Sequence, residues 1–351
     1  MEGKVFSGNI YIFHAFDVSD DINLEKIKQA NVLRILPPTL PKYFKNYQVP
    51  LNVELPPTQD PQKYYSIKIN DFGAFSICYK VPFNDTLENV RAKMELIHNQ
   101  FQDYAIADAQ QVFKLIAPFA KQATFFQLNA DYTIIQVDFD PQLDTREFKE
   151  QYGNTIASLI RFETESLADY QKRDILETAI GYYRGDLIVI DGEAAFVYDE
   201  DYANLLDLFE FSNIQYLELM YFDQVLAKRL NQLYERKGSL IPKRQFIPIL
   251  GLPRNPVADL GRLKVDISVI SEQLQNSIML TNEPYLTEIY DILSEKLDLI
   301  GWKASIDNKL EIIKDVNTVY YNRLLTIRSE ILEVLIIVLI GIELIMGFFK
   351  R

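Results

Sequence analysis

The sequence is poor in the side chains that most often carry catalytic and metal chemistry. Its 351 residues include one cysteine, Cys78, and two histidines, His14 and His98. A single cysteine excludes an internal disulfide and a cysteine-rich metal site. Two histidines far apart in sequence leave little material for a zinc site or a histidine-based triad. Phosphate-binding glycine loops and nucleophile-elbow motifs do not occur either, so we expect no cofactor and no metal.

Basic residues are outnumbered as well. The chain has 36 Lys and Arg against 49 Asp and Glu, a net charge of −13. Because affinity for nucleic acid depends on clustered basic side chains, we expect no nucleic-acid partner. The composition, 48% hydrophobic and 24% charged, is nevertheless that of a folded protein, and the length suits about two domains.

Residues 1–236 alternate between strand and helix patterns. A β-branched and aromatic run predicts a strand over 5–16, and strand pairs are predicted at 65–69 with 74–81, 123–128 with 132–139, and 186–190 with 194–198. The second pair is expected to turn at Asn129-Ala130-Asp131, and the third at Asp191-Gly192. Asp85-Thr86-Leu87-Glu88 has the form of a capping box with an acid, Asp85, as the cap, and it predicts the start of a long helix that reaches about Lys114. Together these patterns predict an α+β domain with a mostly antiparallel sheet.

We expect the α+β domain to occupy residues 1–236 and to be cytoplasmic. A change in composition marks its end. Proline and glycine are concentrated within 237–256, which predicts a linker. Helical patterns follow it, and we expect a coiled-coil stalk over 257–330.

The stalk contains a regular seam of apolar residues. From Ile306 to Val334 the spacing alternates between four and three, which is typical of a coiled coil. The seam includes one polar residue, Asn317, of the kind that fixes register and oligomer number. We therefore expect homo-oligomerisation through Leu310, Ile313, Asn317, Tyr320, Leu324 and Ile327. The alternative is that these helices pack within one chain.

The seam leads into an almost uncharged segment. Only Glu333 and Glu343 are charged within 331–349, and a helix of this length spans about 28 Å, close to a ~30 Å hydrocarbon core. This pattern predicts one C-terminal transmembrane helix, with the lipid bilayer as a partner and Glu343 paired across an oligomer inside the membrane. The expected location is the cell membrane, or an organellar membrane in a eukaryote, with most of the chain cytoplasmic. The alternative is a helix buried in a large bundle.

Three C-terminal stretches resemble a known family. Residues 280–290, the helix start at 302–310, and above all 332–343 with both glutamates are similar to the required-for-meiotic-nuclear-division family, which includes Sad1-interacting-factor-like proteins. The resemblance covers about a fifth of the chain. It implies a single-pass, C-terminally anchored protein with an α+β body, from a family whose eukaryotic members are often mitochondrial and are associated with organellar translation. It provides no catalytic residues.

These observations predict a non-enzymatic, membrane-anchored and oligomeric scaffold or tether, with a protein partner that the sequence does not identify. Two alternatives remain open. One is a membrane-tethered enzyme with an acidic metal site at Asp138 and Asp140, which alternation places on one face of a strand. The other is a soluble, partner-binding helical protein whose C-terminal helix is buried. His14 is expected to be a packed core residue, whereas His98 lies on a helix where it could pair with a carboxylate.

Overall fold

A computed structural model describes residues 4–19, 21–37, 49–54, 59–125, 129–181, 183, 185–235 and 284–349. The chain divides into two compact units: Met1–Phe222 with Val269–Lys303, and Asp223–Ser268 with Ala304–Arg351. The predicted linker, 237–256, lies outside the described residues. The predicted domain boundaries therefore stay predictions.

The first unit contains a large mixed sheet, whose strands lie between Val5 and Tyr198. The strands are β1 (Val5–Asp17), β2 (Asp21–Ile22), β3 (Arg34–Ile35), β4 (Leu51–Glu54), β5 (Tyr64–Ile69), β6 (Ala74–Thr86), β7 (Ala120–Lys121), β8 (Asn129–Val137), β9 (Leu187–Ile190) and β10 (Ala194–Tyr198). Eight of them form one sheet in the order β3-β4-β5-β6-β1-β8-β10-β9, and β2 pairs separately with β7. Every pairing among these strands is antiparallel except that of β10 with β8.

The helices are α1 (Leu24–Ala30), α2 (Leu87–Ile116), α3 (Thr145–Leu159), α4 (Asp169–Glu177), α5 (Ala203–Glu235), α6 (Pro284–Lys296) and α7 (Leu299–Phe349), with a 3₁₀ turn at Ala117–Phe119. The predicted start of α2 is confirmed, but its N-cap is Thr86 rather than the acid Asp85: the Thr86 hydroxyl accepts the Asn89 N–H at 3.2 Å. Between α6 and α7, Asp298 has a left-handed backbone with a φ of 51°, and its carbonyl accepts the Trp302 N–H, so a new helix begins there.

Both faces of β1 are buried because helices cover both sides of the sheet. Side chains on a strand alternate between faces. Ile10 and Ile12 join an apolar cluster that also includes Phe101 of α2. On the opposite face, small residues including Ala15 pack with Ile214 and other residues of α5. A central strand covered on two sides therefore appears in the sequence as a continuous apolar run.

Local patterns predicted most strand pairs correctly, with one clear error. The strand 5–16, the pair at 65–69 and 74–81, and the Asp191-Gly192 hairpin are confirmed. The predicted hairpin turn at Asn129-Ala130-Asp131 is wrong, because these residues belong to β8 and pair with β1, where Asn129 lies opposite Phe16. Asn and Asp favour turns, but here the pairing with a strand more than a hundred residues earlier determines the local conformation.

The transmembrane part of the predicted fold class is also wrong. Among the described residues, no helix combines the length and the apolar character needed to cross a membrane. The physical reason is the acidic content of α7: Glu330, Glu333 and Glu343 lie in or beside its most apolar stretch. An ionised side chain at the centre of a bilayer costs about 2.5–3.5 kcal/mol on insertion scales. The predicted span at 331–349 is therefore wrong, and so is the single-pass cell-membrane location that was inferred from it.

Candidate functional site

The predicted oligomerisation seam begins inside the second unit. Ile306, Leu310 and Ile313 of α7 are buried within the single chain. Beside them the Asp223 carboxylate of α5 accepts a hydrogen bond from the Ser305 hydroxyl at 2.7 Å and pairs with the Lys309 ammonium. The first turns of the seam are therefore used for packing within one chain. The remaining predicted seam residues have side chains outside the described set: Asn317, Tyr320, Leu324 and Ile327.

Farther along α7, large apolar side chains face solvent. Between Leu332 and Met346, twelve of them are 49–68% exposed: Leu332, Val334, Leu335, Ile336, Ile337, Val338, Leu339, Ile340, Ile342, Leu344, Ile345 and Met346. Helices that are apolar on all sides are normally buried, because water penalises exposed apolar surface. This segment, residues 332–346, is called the apolar tail below. Its exposure in the single chain makes it the strongest candidate for a binding surface.

A buried ion cluster lies between the sheet and α5. The Lys68 ammonium on β5 is 2.6 Å from the Asp207 carboxylate and 2.6 Å from the Glu210 carboxylate. Burial alone would lower the pKa of Lys68, but the Glu210 and Asp207 carboxylates outweigh it and raise the pKa. Burial, reinforced by Glu210, raises the pKa of the Cys78 thiol well above its ordinary value. The thiol therefore stays protonated, and the cluster does not make it a thiolate nucleophile.

His14 of β1 and His98 of α2 lie on the same side of the sheet, near Asp131. His14 is fully buried as predicted, and burial, followed by repulsion from His98, lowers its pKa to about 3. Asp131 lies opposite His14 in the β1–β8 register, and its carboxylate is 3.4 Å from His98 Nε2. The His98 ring also lies against Phe162, with 4.9 Å between centroids. The sequence left the partner of His98 undetermined, because the contact joins a helix and a strand through tertiary packing.

Acidic side chains do not assemble into a metal site in the described part of the chain. There, no three His, Cys, Asp or Glu side chains are placed so that they could hold a metal ion. The two candidate ligands from the sequence both have protein partners. Asp138 accepts a hydrogen bond from the Gln136 amide at 3.1 Å, and Asp140 pairs with Lys4 at 3.3 Å and accepts the Gln142 N–H.

Comparison with known proteins places the body of the chain in a family. Residues 7–204 match the family described as "Uncharacterized protein MJ0711, N-terminal domain". This match covers more than half of the chain. The chain belongs to this family. The matched residues of the MJ0711 N-terminal family extend from β1 to the first residues of α5 and so contain the sheet.

An individual relative supports this family assignment. The chain is 23% identical over 258 residues to "Uncharacterized protein MJ0711" of Methanocaldococcus jannaschii, an alignment that covers 71% of this chain and 77% of that protein. No solved structure matches the chain. The resemblance to the required-for-meiotic-nuclear-division family is therefore wrong. It rested on three C-terminal stretches, above all the apolar one at 332–343, whose composition is shared by many unrelated helices, whereas the family match lies in the N-terminal body.

The sequence suggested a bilayer for the apolar tail and therefore did not identify it as a candidate protein-binding surface. The signal that would have found it is the heptad register itself. Counting onward from Leu310, Asn317 and Leu324, the same seam position is next occupied by Ile331, Val338 and Ile345.

Proposed function

We propose that the protein is a self-associating scaffold in which copies of the chain assemble through the apolar tail of α7. Such an assembly holds several α+β bodies together. The single observation that carries this proposal is the exposure of twelve large apolar side chains on one helix.

The size of the exposed surface supports association. If each such side chain has about 60–120 Å² of apolar surface, the tail exposes on the order of 400–900 Å². The largest patch on a typical monomer is about 300–600 Å², and one side of a standard interface is about 800 Å². At about 25 cal/mol per Å², complete burial of the tail sets an upper limit of roughly 10–20 kcal/mol, against an association cost of about 4–15 kcal/mol.

A second copy of the same helix suits this surface because the seam is periodic. Val338 and Ile345 continue the heptad position of Leu310, and Val334 continues that of Ile313. Two helices with one repeat interdigitate their side chains along the whole seam, whereas an unrelated partner would have to share that repeat. The alternative of a C-terminal helix buried within its own chain has no support among the described side chains, since those of the tail are exposed.

The mass of the full-length chain in solution tests the proposal. Light scattering after size-exclusion chromatography should give an integral multiple of 40.8 kDa. Val338→Glu places a charge in the seam and should reduce the mass to that of one chain, whereas Ile340→Glu, two residues away and off the seam, should leave it unchanged. Circular dichroism checks that both variants keep their helix content. A wild-type mass of one chain at tens of micromolar would refute self-association.

A further inference from the structure

We infer that the apolar tails assemble as a bundle of at least three helices, with Glu333 and Glu343 on its outer surface. This inference rests on the proposed self-association and specifies its geometry. It follows from where the acidic and apolar residues lie around the helix.

The acidic residues mark the outside of the assembly. With Leu310 at heptad position a, Glu333 falls at position c and Glu343 at position f. In a coiled coil, positions b, c and f face away from the seam formed by a and d. The two carboxylates that argued against a membrane span therefore lie where water reaches them in a helical bundle, and neither needs a buried partner.

The flanks of the seam, heptad positions e and g, change from mostly charged to apolar at the start of the tail. Before it, positions e and g include Lys314, Arg323, Arg328 and Glu330, charged residues of the kind that border a two-stranded seam. Within the tail the same positions are occupied by Leu335, Ile337, Ile342 and Leu344, which are all exposed in the single chain. A pair of helices would leave these flanks partly in water, whereas a third helix covers them.

The seam residues themselves favour the larger assembly. Position a is β-branched at Ile331, just before the tail, and at Val338 and Ile345 within it, and position d is β-branched at Val334. β-branched residues at a with leucine at d favour two strands, whereas β-branched residues at both positions shift the preference to three or four.

The test compares charges on the flanks with charges on the outside. We expect the wild-type chain to have a mass of at least three chains. Leu335→Glu with Ile342→Glu, both at position e, should lower it to two chains or one. The matched double variant Ile336→Glu with Ile340→Glu, at positions f and c, adds the same charge within the same segment and should keep the wild-type mass.

The outcomes separate this inference from the proposed function. A wild-type dimer, or a flank variant with an unchanged mass, would overturn the bundle and leave self-association intact. Equal loss of mass in the flank variant and the outer variant would also overturn it, because charge alone would then explain the effect. A wild-type monomer, or aggregates without a fixed stoichiometry, would overturn both.

Discussion

The Lys68 ammonium lies 2.6 Å from the Glu210 carboxylate in the contact between the sheet and α5. Glu210 is only 3% exposed at its side chain, so its charge depends on Lys68 for compensation. Removing one partner of a buried pair costs far more than removing both, because the remaining charge is left without solvent or counter-ion.

Lys68→Met should therefore lower the free energy of unfolding by about 3 kcal/mol. The double variant with Glu210→Met should recover at least half of that loss, although Asp207 keeps its charge. Urea denaturation of the single and double variants measures both effects. As a control, Lys28→Met disrupts the exposed pair with Glu25 and should cost less than about 1 kcal/mol. Equal losses of unfolding free energy at Lys68 and Lys28 would show that burial of the ion pair does not raise the cost of removing its lysine.

His14 should make stability fall as the solution becomes acidic. Burial lowers its pKa to about 3 in the folded chain, against an ordinary value of 6.5. Below pH 6.5 the His14 ring therefore binds a proton in the unfolded chain but remains neutral in the folded chain. The free energy of unfolding then decreases on acidification from pH 6.5 towards pH 3, by on the order of 1 kcal/mol for each pH unit.

The measurement is the urea midpoint between pH 7 and pH 4 for the wild type and for His14→Leu. The variant lacks the titrating ring, so its midpoint should decline less over this range. Parallel decline of both proteins would place the acid sensitivity in other groups.

Glu218 should have the opposite pH dependence. Burial, reinforced by Asp17, raises the pKa of this carboxyl well above its ordinary value, so the folded chain keeps the proton. The unfolded chain releases it above about pH 4.3. The contribution to stability is therefore fully present at lower pH and is lost as the pH rises towards the folded pKa.

Glu218→Gln keeps the shape of the side chain without its ionisation. We expect the variant to gain stability relative to the wild type as the pH is raised from 5 to 8, by about 1 kcal/mol or more. Thermal or urea unfolding at the two pH values measures the gain. A difference that does not depend on pH would show that Glu218 is ionised in the folded chain.

Gly73 should tolerate no side chain. Its φ of 111° lies in a region that residues with a Cβ rarely adopt, and a Cβ there would overlap the carbonyl oxygen of Ser19. Gly73→Ala should cost more than about 1 kcal/mol of unfolding free energy. Gly192→Ala is the matched comparison, since a Cβ at Gly192 meets only the Lys296 carbonyl oxygen, at 3.4 Å, among the described residues. Similar losses at the two positions would contradict the backbone argument.

Local sequence patterns predicted the elements whose conformation depends on near neighbours. The start of α2 and the turn at Asp191-Gly192 each depend on a few adjacent residues, and both predictions are confirmed. The pairing of β1 with β8 depends on residues more than a hundred positions apart, and no local pattern encodes it. This is why the turn propensity of Asn129 misled the prediction.

The candidate site, too, could be predicted from the sequence only in part. The heptad spacing of α7 was visible in the sequence, but the solvent exposure of residues such as Val338 is a tertiary property. Apolar composition alone does not distinguish a helix that meets lipid from one that meets other helices. The prediction of a span was wrong because Glu330, Glu333 and Glu343 lie in or beside the apolar stretch.

The central position of β1 has a consequence for synthesis of the chain. Both of its neighbours, β6 and β8, come later in the sequence, and β8 begins at Asn129. At about 5–20 residues per second, roughly 6–22 s pass between completion of β1 and the emergence of β8. During that time an apolar strand is without its second partner. We therefore expect the nascent chain to be most prone to aggregate, and most dependent on chaperones, before the ribosome reaches β8.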